Sequence, residues 1–440
     1  MDEIFAALDL PGRYRTRSEG DLPSCYAVTD LATASWAAAG EAAAGLVEVL
    51  GLGPRPEVTV DRRLASLWFS KTVRPLGWEL PPVWDVVAGD YRTADGWIRL
   101  HTNRPHHRAA ALRVLAVPAD RTLVASAVQT WQADDLEAAI VGEGGAAAAM
   151  RSASDWTAHP QGRAVAAEPL VHWLDGPAPP DWEPTLARPL RGLRVLDLTR
   201  ILAGPVATRF LAGLGATVLR IDPPDWDEPD AEAEVTLGKH CARLDLRSED
   251  GRATFEALLS SAHLLVHGYR PGALEGLGLG SARRRDLAPR MAEVSLNAYG
   301  QTGPWAARRG YDSLVQMSSG IAHEGMIHAG SDRPTPLPVQ ALDHATGYLM
   351  AAAALRLLRT GGTAHLSLAR TAELVKAHPQ DDIGTLSLDR SDEDFAAAAE
   401  ETPFGPARRL RPAIALTGTP IFWERPATAL GSAPASWPAP

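Results

Sequence analysis

A chain of 440 residues exceeds what a single hydrophobic core usually supports, so two or more domains are expected. A formal net charge of −10 argues against non-specific binding to nucleic acid or to an anionic membrane surface, although a local cluster of arginines could still hold a few phosphates.

The N-terminus, Met1-Asp2-Glu3-Ile4-Phe5, lacks the basic region and apolar run of a signal peptide. No stretch of about 18 apolar residues occurs anywhere, so the sequence predicts a soluble, cytoplasmic protein without a membrane span. An alanine-rich helix is predicted from about Asp30 to Val49. Strands follow at Glu57–Val60 and Gly96–Leu100, with helices near Arg108–Leu115 and Asp134–Val141. Residues 1–176 thus read as an N-terminal unit containing a small α+β domain. Cys25 and Cys241 are the only cysteines, too few and too far apart for a disulfide framework or a zinc site.

Residues 177–189 carry five prolines and interrupt all periodicity, which predicts a linker. Residues 190–370 then alternate strand and helix. The strands are Arg194–Leu198, Ala216–Asp222, His263–Val266 and Ala292–Leu296. One helix opens at Gly204-Pro205 and another at Ser248-Glu249-Asp250. This alternation predicts an α/β domain, a Rossmann-like parallel sheet with flanking helices. Residues 371–440 read as a tail packing on that domain, irregular from about Thr402.

A second Ala-rich helix starts at Asp343, preceded by Leu337-Pro338 and followed by Thr363–Arg370. The same order of parts surrounds Asp30, from Leu22-Pro23 to Glu57–Arg63. We read this as a degenerate duplication.

The turn after the first strand of the second unit, Thr199 to Pro205, has one glycine where a dinucleotide fingerprint needs three, so NAD binding is not expected. Asp222 reads as a loop acid or cap. His106-His107 reads as surface, Arg283-Arg284-Arg285 as a solvated helix start, and Trp156 and Trp173 as packing residues. His323 and His328 lack a compact ligand cluster, and no metal is expected.

The ordered series Val195-Leu196-Asp197-Leu198-Thr199-Arg200, Leu202-Ala203-Gly204-Pro205, Leu237-Gly238-Lys239, Tyr269-Arg270-Pro271-Gly272, Tyr299–Pro304 and Gly310-Tyr311-Asp312 resembles family III CoA-transferases (the CaiB/BaiF type). The resemblance covers about Leu193 to Arg370 and extends more weakly over residues 57–172. It implies that Asp343 is a nucleophile carrying an aspartyl-CoA thioester. On its own that residue would read as the N-cap of an alanine-rich helix, and it is the ordered motifs that turn the reading to a nucleophile. It also implies that Ala203, Lys239, Tyr269, Arg270, Arg309 and Tyr311 lie near CoA, and that CoA and acyl-CoA are substrates with no permanently bound cofactor. The partners implied are an acyl-CoA, a small carboxylic acid and a second copy of the chain in a homodimer, since members of that family are interlocked dimers. In the family the small domain follows the first part of the large one; here it comes first, so a permuted or degenerate-tandem order is expected. The chain departs from the family at Leu202, His240 and Gly268, has Tyr311 where racemases carry a histidine, and shows no glycine-rich flap at His323–Met326. An acyl-CoA isomerase or epimerase, or a non-catalytic CoA-binding or partner protein, are the alternatives to CoA transfer.

Overall fold

Residues 1–380 and 388–438 are described by a computed structural model; the remaining residues of the expected C-terminal tail, 381–387 and 439–440, lie outside the described residues. The first long helix, α1, runs Val28–Val49 and is buried on almost every side. Its alanine-rich sequence explains this, because small side chains let neighbouring elements approach from all directions. At Gly40 an added Cβ would lie 2.1 Å from the Cδ1 of Ile414. The strand after it, Val58–Asp61, sits between Tyr14–Arg17 (parallel) and Ile414–Leu416 (antiparallel).

The small domain is α+β, as its sequence predicts. Strands Gly89–Arg92, Trp97–Leu100 and Ala147–Ala149 form an antiparallel sheet. Helices Pro105–Leu115, Arg121–Val128 and Ala133–Gly142 complete it around Tyr91, Ile98, Leu100, Val124, Val128, Leu136 and Ile140.

The large sheet has seven strands: β1 (His172–Leu174), β2 (Arg194–Leu198), β3 (Thr217–Asp222), β4 (Lys239–Arg243), β5 (Leu264–His267), β6 (Ala292–Asn297) and β7 (Thr363–Ser367). Their spatial order is β4-β3-β2-β5-β6-β7-β1, parallel except for β1 at the edge. The chain steps outward from β2 through β3 to β4, then returns beside β2 to build β5, β6 and β7 the other way. The carboxyl ends of β2 and β5 therefore flank a topological switch point, where open α/β sheets leave a crevice for ligands. Helix α2 (Ala203–Gly213) begins there, immediately after β2. Helices α3 (Asp312–Ser318) and α4 (Ala341–Thr360) follow β6 in the chain.

The proline-rich stretch divides the sequence without dividing the core. One apolar cluster runs from Ile4 to Ile421, and α1 packs on α4 with the Trp36 and Tyr348 rings 4.2 Å apart. The tail is also more regular than its composition suggests. Glu400–Thr402 and Gly405–Arg409 pair with each other, and the second pairs with Val73–Pro75. The period-two signal is disguised because Arg409 is one of the inward residues; it is buried against Glu234 and Glu400.

Three sequence readings are corrected by burial. Asp222 is no loop cap: it is fully buried with Arg220, whose guanidinium also meets Glu228. Arg284 is not solvated but paired with Glu293 at 2.6 Å. His107 is only 2% exposed, whereas its neighbour His106 is exposed.

The echo between the two alanine-rich helices extends to backbone geometry. The residue before α1, Ala27, has φ −71° and ψ 62°, and the residue before α4, Gln340, has φ −75° and ψ 63°. Each helix carries aspartate as its third residue, and each is followed by a strand and a short helix capped by a side chain, Asp61 or Ser367. The two aspartates differ in surroundings. Asp30 is half exposed and ion-paired with Arg62, while Asp343 is 7% exposed and faces the interior.

Candidate active site at the switch point

Asp343 lies in the first turn of α4, where two cavities meet. Gly347, one turn further, lets α4 lie against the start of α2: a Cβ there would be 2.4 Å from the carbonyl oxygen of Ala203. This close approach brings the aspartate beside the turn that follows β2. Asp312 fixes it from the other side, its Oδ2 accepting the backbone N–H of Asp343 at 2.9 Å. The other oxygen of Asp312 accepts from Gln316, and Gln316 Oε1 accepts the N–H of Leu337 at 2.7 Å. Residues 337–343 are thereby tied to α3.

Burial in a water-poor pocket pushes the Asp343 carboxyl well above the usual carboxylate range, and the neighbouring charge of Asp312 adds to the effect. Asp312 is itself raised by burial to about 6, against the opposing pull of the backbone donors at Asp343 and Leu342.

The first cavity, about 380 Å³, is a cationic cleft lined by Arg104, Arg200, Arg270, Arg308 and Arg309. Three of these have carboxylate partners: Arg104 with Glu228, Arg200 with Asp222, and Arg308 with Glu137. Among the described residues, Arg270 and Arg309 have no carboxylate within ion-pair distance; they hold only the carbonyls of Ala307 and Gly144. Burial and the nearby Arg309 charge depress the Arg270 guanidinium. Two like charges left without counterions at the mouth of a crevice suit an anionic ligand.

Ala203, Tyr269 and Tyr311 line the same cleft. The Tyr269 hydroxyl accepts from Arg200 at 2.9 Å. The Tyr311 ring stacks on His101 of the small domain, with centroids 3.8 Å apart. Five of the six residues expected near CoA, all but Lys239, thus come together with Asp343.

Lys239 does not. It is fully buried beneath α2, donating to Asp197 Oδ2 at 2.9 Å and to the carbonyl of Pro205 at 3.1 Å. Asp197 in turn accepts from Thr199 and Thr208. The ammonium braces the turn from below instead of meeting the cleft. Replacing Lys239 by Met should strip buried Asp197 of its hydrogen-bonded countercharge, leaving only the more distant charge of Arg220, and chemical denaturation should show a loss of about 3–5 kcal/mol.

The second cavity, about 290 Å³, has apolar walls from Phe69, Val83, Trp84, Leu202 and Val339. The Phe69 ring stacks on His344, the residue after Asp343, at 5.2 Å. Burial lowers His344 to about 3 and His107 also to about 3, so both imidazoles are neutral at pH 7.

Arg104, Arg200, Ile201 and His101 line these cavities without having been assigned to a site from sequence, and His107, read there as surface, lines the cationic cleft. Arg200 stood inside a recognised motif. Ile201 lies between the cavities with φ 70°, a left-handed conformation that is costly for a β-branched residue and is retained where surroundings enforce it. Its N–H donates to Glu228 at 3.1 Å. No sequence signal marks that strain. The small-domain residues enter only through tertiary packing.

The domain is of the doubly wound α/β class, in which the crevice at the switch point is the usual place for a ligand. Residues 190–378 match the sequence profile of the family described as CoA-transferase family III. Succinyl-CoA:glutarate CoA-transferase of Mus musculus is 35% identical over 149 residues, covering 31% of this chain and 34% of that protein. Acetyl-CoA:oxalate CoA-transferase of Acetobacter aceti is 35% identical over 145 residues, covering 30% and 37%. Among solved structures, the Mycobacterium tuberculosis protein Rv3272 is 31% identical, covering 43% of this chain and 57% of that one, with a TM-score of 0.39. The chain therefore spans about a third to a half of the length of the first curated relatives it matches. No helix among the described residues is long and apolar enough to cross a membrane.

Proposed function

We propose that the protein is an enzyme moving CoA from an acyl-CoA to a carboxylic acid, with Asp343 as covalent carrier. The observation that carries this reading is the position of Asp343, buried where a cationic cleft meets a largely apolar cavity. Arg270 and Arg309 would meet CoA phosphates, Tyr269 and Ala203 would border the nucleotide and pantetheine, and the apolar cavity would take the acyl group.

A carboxylate Oδ of Asp343 attacks the thioester carbonyl; the C–S bond breaks and CoA leaves as thiolate, giving a mixed anhydride. The thiolate attacks the aspartyl carbonyl, releasing the donor acid and forming aspartyl-CoA. The acceptor carboxylate then attacks that thioester and expels the thiolate, which returns to the acceptor's carbonyl, yielding the new acyl-CoA and free Asp343. Dividing one exchange into such steps is the advantage of a nucleophilic carrier. Tyr311, its hydroxyl raised by burial, supplies no second base at neutral pH, which disfavours two-base epimerisation.

Hydroxylamine added during incubation with acyl-CoA should convert Asp343 to the hydroxamate, found by peptide mass spectrometry. Labelling absent from Asp343 while transfer proceeds would remove the covalent mechanism.

A further inference from the structure

The chain contains only three lysines against forty arginines. Lys239 is paired with Asp197, and Lys376 with Glu373. The third, Lys71, lies just after the short helix Arg62–Leu67 of the N-terminal unit and lines the second cavity together with Asp343. Its Nζ donates to the backbone carbonyl of Asp230 at 2.5 Å. Among the described residues no carboxylate lies within ion-pair distance of it. An ammonium has three donors, so up to two remain for a ligand.

The nearby acids do not compete strongly. Glu234 is already held by Thr72, Val73, Arg209 and Arg409. Asp230 offers Lys71 its carbonyl and not its carboxylate. The lining also carries buried polar atoms without partners: His101 Nδ1, Ser313 Oγ and His344 Nδ1. A plain alkyl chain would leave these groups unpaired.

From this juxtaposition we infer that the second cavity selects an acid bearing a second carboxylate, whose distal end pairs with Lys71 while its proximal carboxyl faces Asp343. The inference rests on the proposed transfer reaction for its meaning, but it concerns binding and is tested apart from turnover. Calorimetry on the full-length protein with CoA present should compare glutarate with valerate, which has the same carbon number and lacks the distal carboxylate. Wild type is expected to bind glutarate at least about tenfold more tightly, since hydrogen bonds to charged groups contribute about 1.5–3 kcal/mol. Lys71→Met should abolish that preference, and Lys71→Arg should keep most of it. Equal affinity for the two acids, no binding of either, or a glutarate preference that survives Lys71→Met would overturn the inference. Hydroxamate labelling of Asp343 in wild type and the Lys71 variants, carried out separately with an acyl-CoA donor and hydroxylamine added, decides the transfer mechanism independently.

Discussion

Replacing Asp343 by Asn should lower CoA transfer by about 10³-fold or more, because the amide has no nucleophilic oxygen and the adjacent carboxylate, Asp312, is engaged by the backbone N–H of residue 343 and by Gln316. Folding stability should move in the opposite direction. The carboxyl of Asp343 is raised by burial and by Asp312, so the folded chain keeps its proton to a higher pH than the unfolded chain does. The stability contributed by that proton is fully present below the unfolded pKa. It is lost as pH rises, until the folded group also ionises. Each unit of displacement corresponds to about 1.4 kcal/mol. Asn mimics the protonated form at every pH. Urea denaturation should therefore show the Asn variant more stable than wild type at pH 8, with the difference shrinking toward pH 4. A variant less stable than wild type at pH 8 would contradict the buried, proton-holding environment described for this residue.

The origin of that environment shows which parts of the site can be read from sequence. The strand–helix alternation from Arg194 to Ser367 is written in short apolar runs and capping residues, but the strand order that sets the switch point is not. Asp343, Tyr269, Arg270, Arg309 and Tyr311 sit in segments whose order along the chain carries the family resemblance. The family resemblance puts Lys239 near CoA, whereas the structure buries it against Asp197. Its engagement by Asp197 depends on β4 lying two strands from β2, a long-range fact. Arg104, His101 and Lys71 belong to elements more than 230 residues before Asp343. No local periodicity announces that they meet it.

The paired alanine-rich helices are a related case. Sequence alone suggests a repeat, and the matching backbone angles before α1 and α4 agree with that suggestion. What sequence cannot separate is the fate of the two aspartates. Asp30 is turned outward to Arg62, whereas Asp343 is closed in by α2 and α3. The same local motif becomes a surface ion pair in one copy and a candidate nucleophile in the other, and the difference lies in what packs against it.

Asp312 is the residue through which that difference can be measured. Its carboxylate accepts the Asp343 N–H and, through Gln316, fixes Leu337, so it positions the nucleophile's backbone while opposing its ionisation. Asp312→Asn retains an oxygen for the Asp343 N–H but removes the charge. Asp343 should then ionise more readily, and the acid limb of kcat/KM should move about one unit or more toward lower pH. Because the two carboxyls interact, the apparent values in wild type belong to the pair. The new amide also faces the Gln316 amide donor to donor, an unsatisfied contact expected to cost about 1–3 kcal/mol of stability. Adding Gln316→Glu should relieve it, since a carboxylate accepts from both Asn and the Leu337 N–H. Asp312→Ala, which leaves the Asp343 N–H unpaired and the segment untethered, should lower kcat by about 10- to 100-fold. If Asp312 served only to hold the fold, all three variants would lose activity in proportion to stability with the acid limb unmoved. A displaced limb in Asp312→Asn, persisting after the loss of stability is accounted for, is the outcome that assigns it to tuning Asp343.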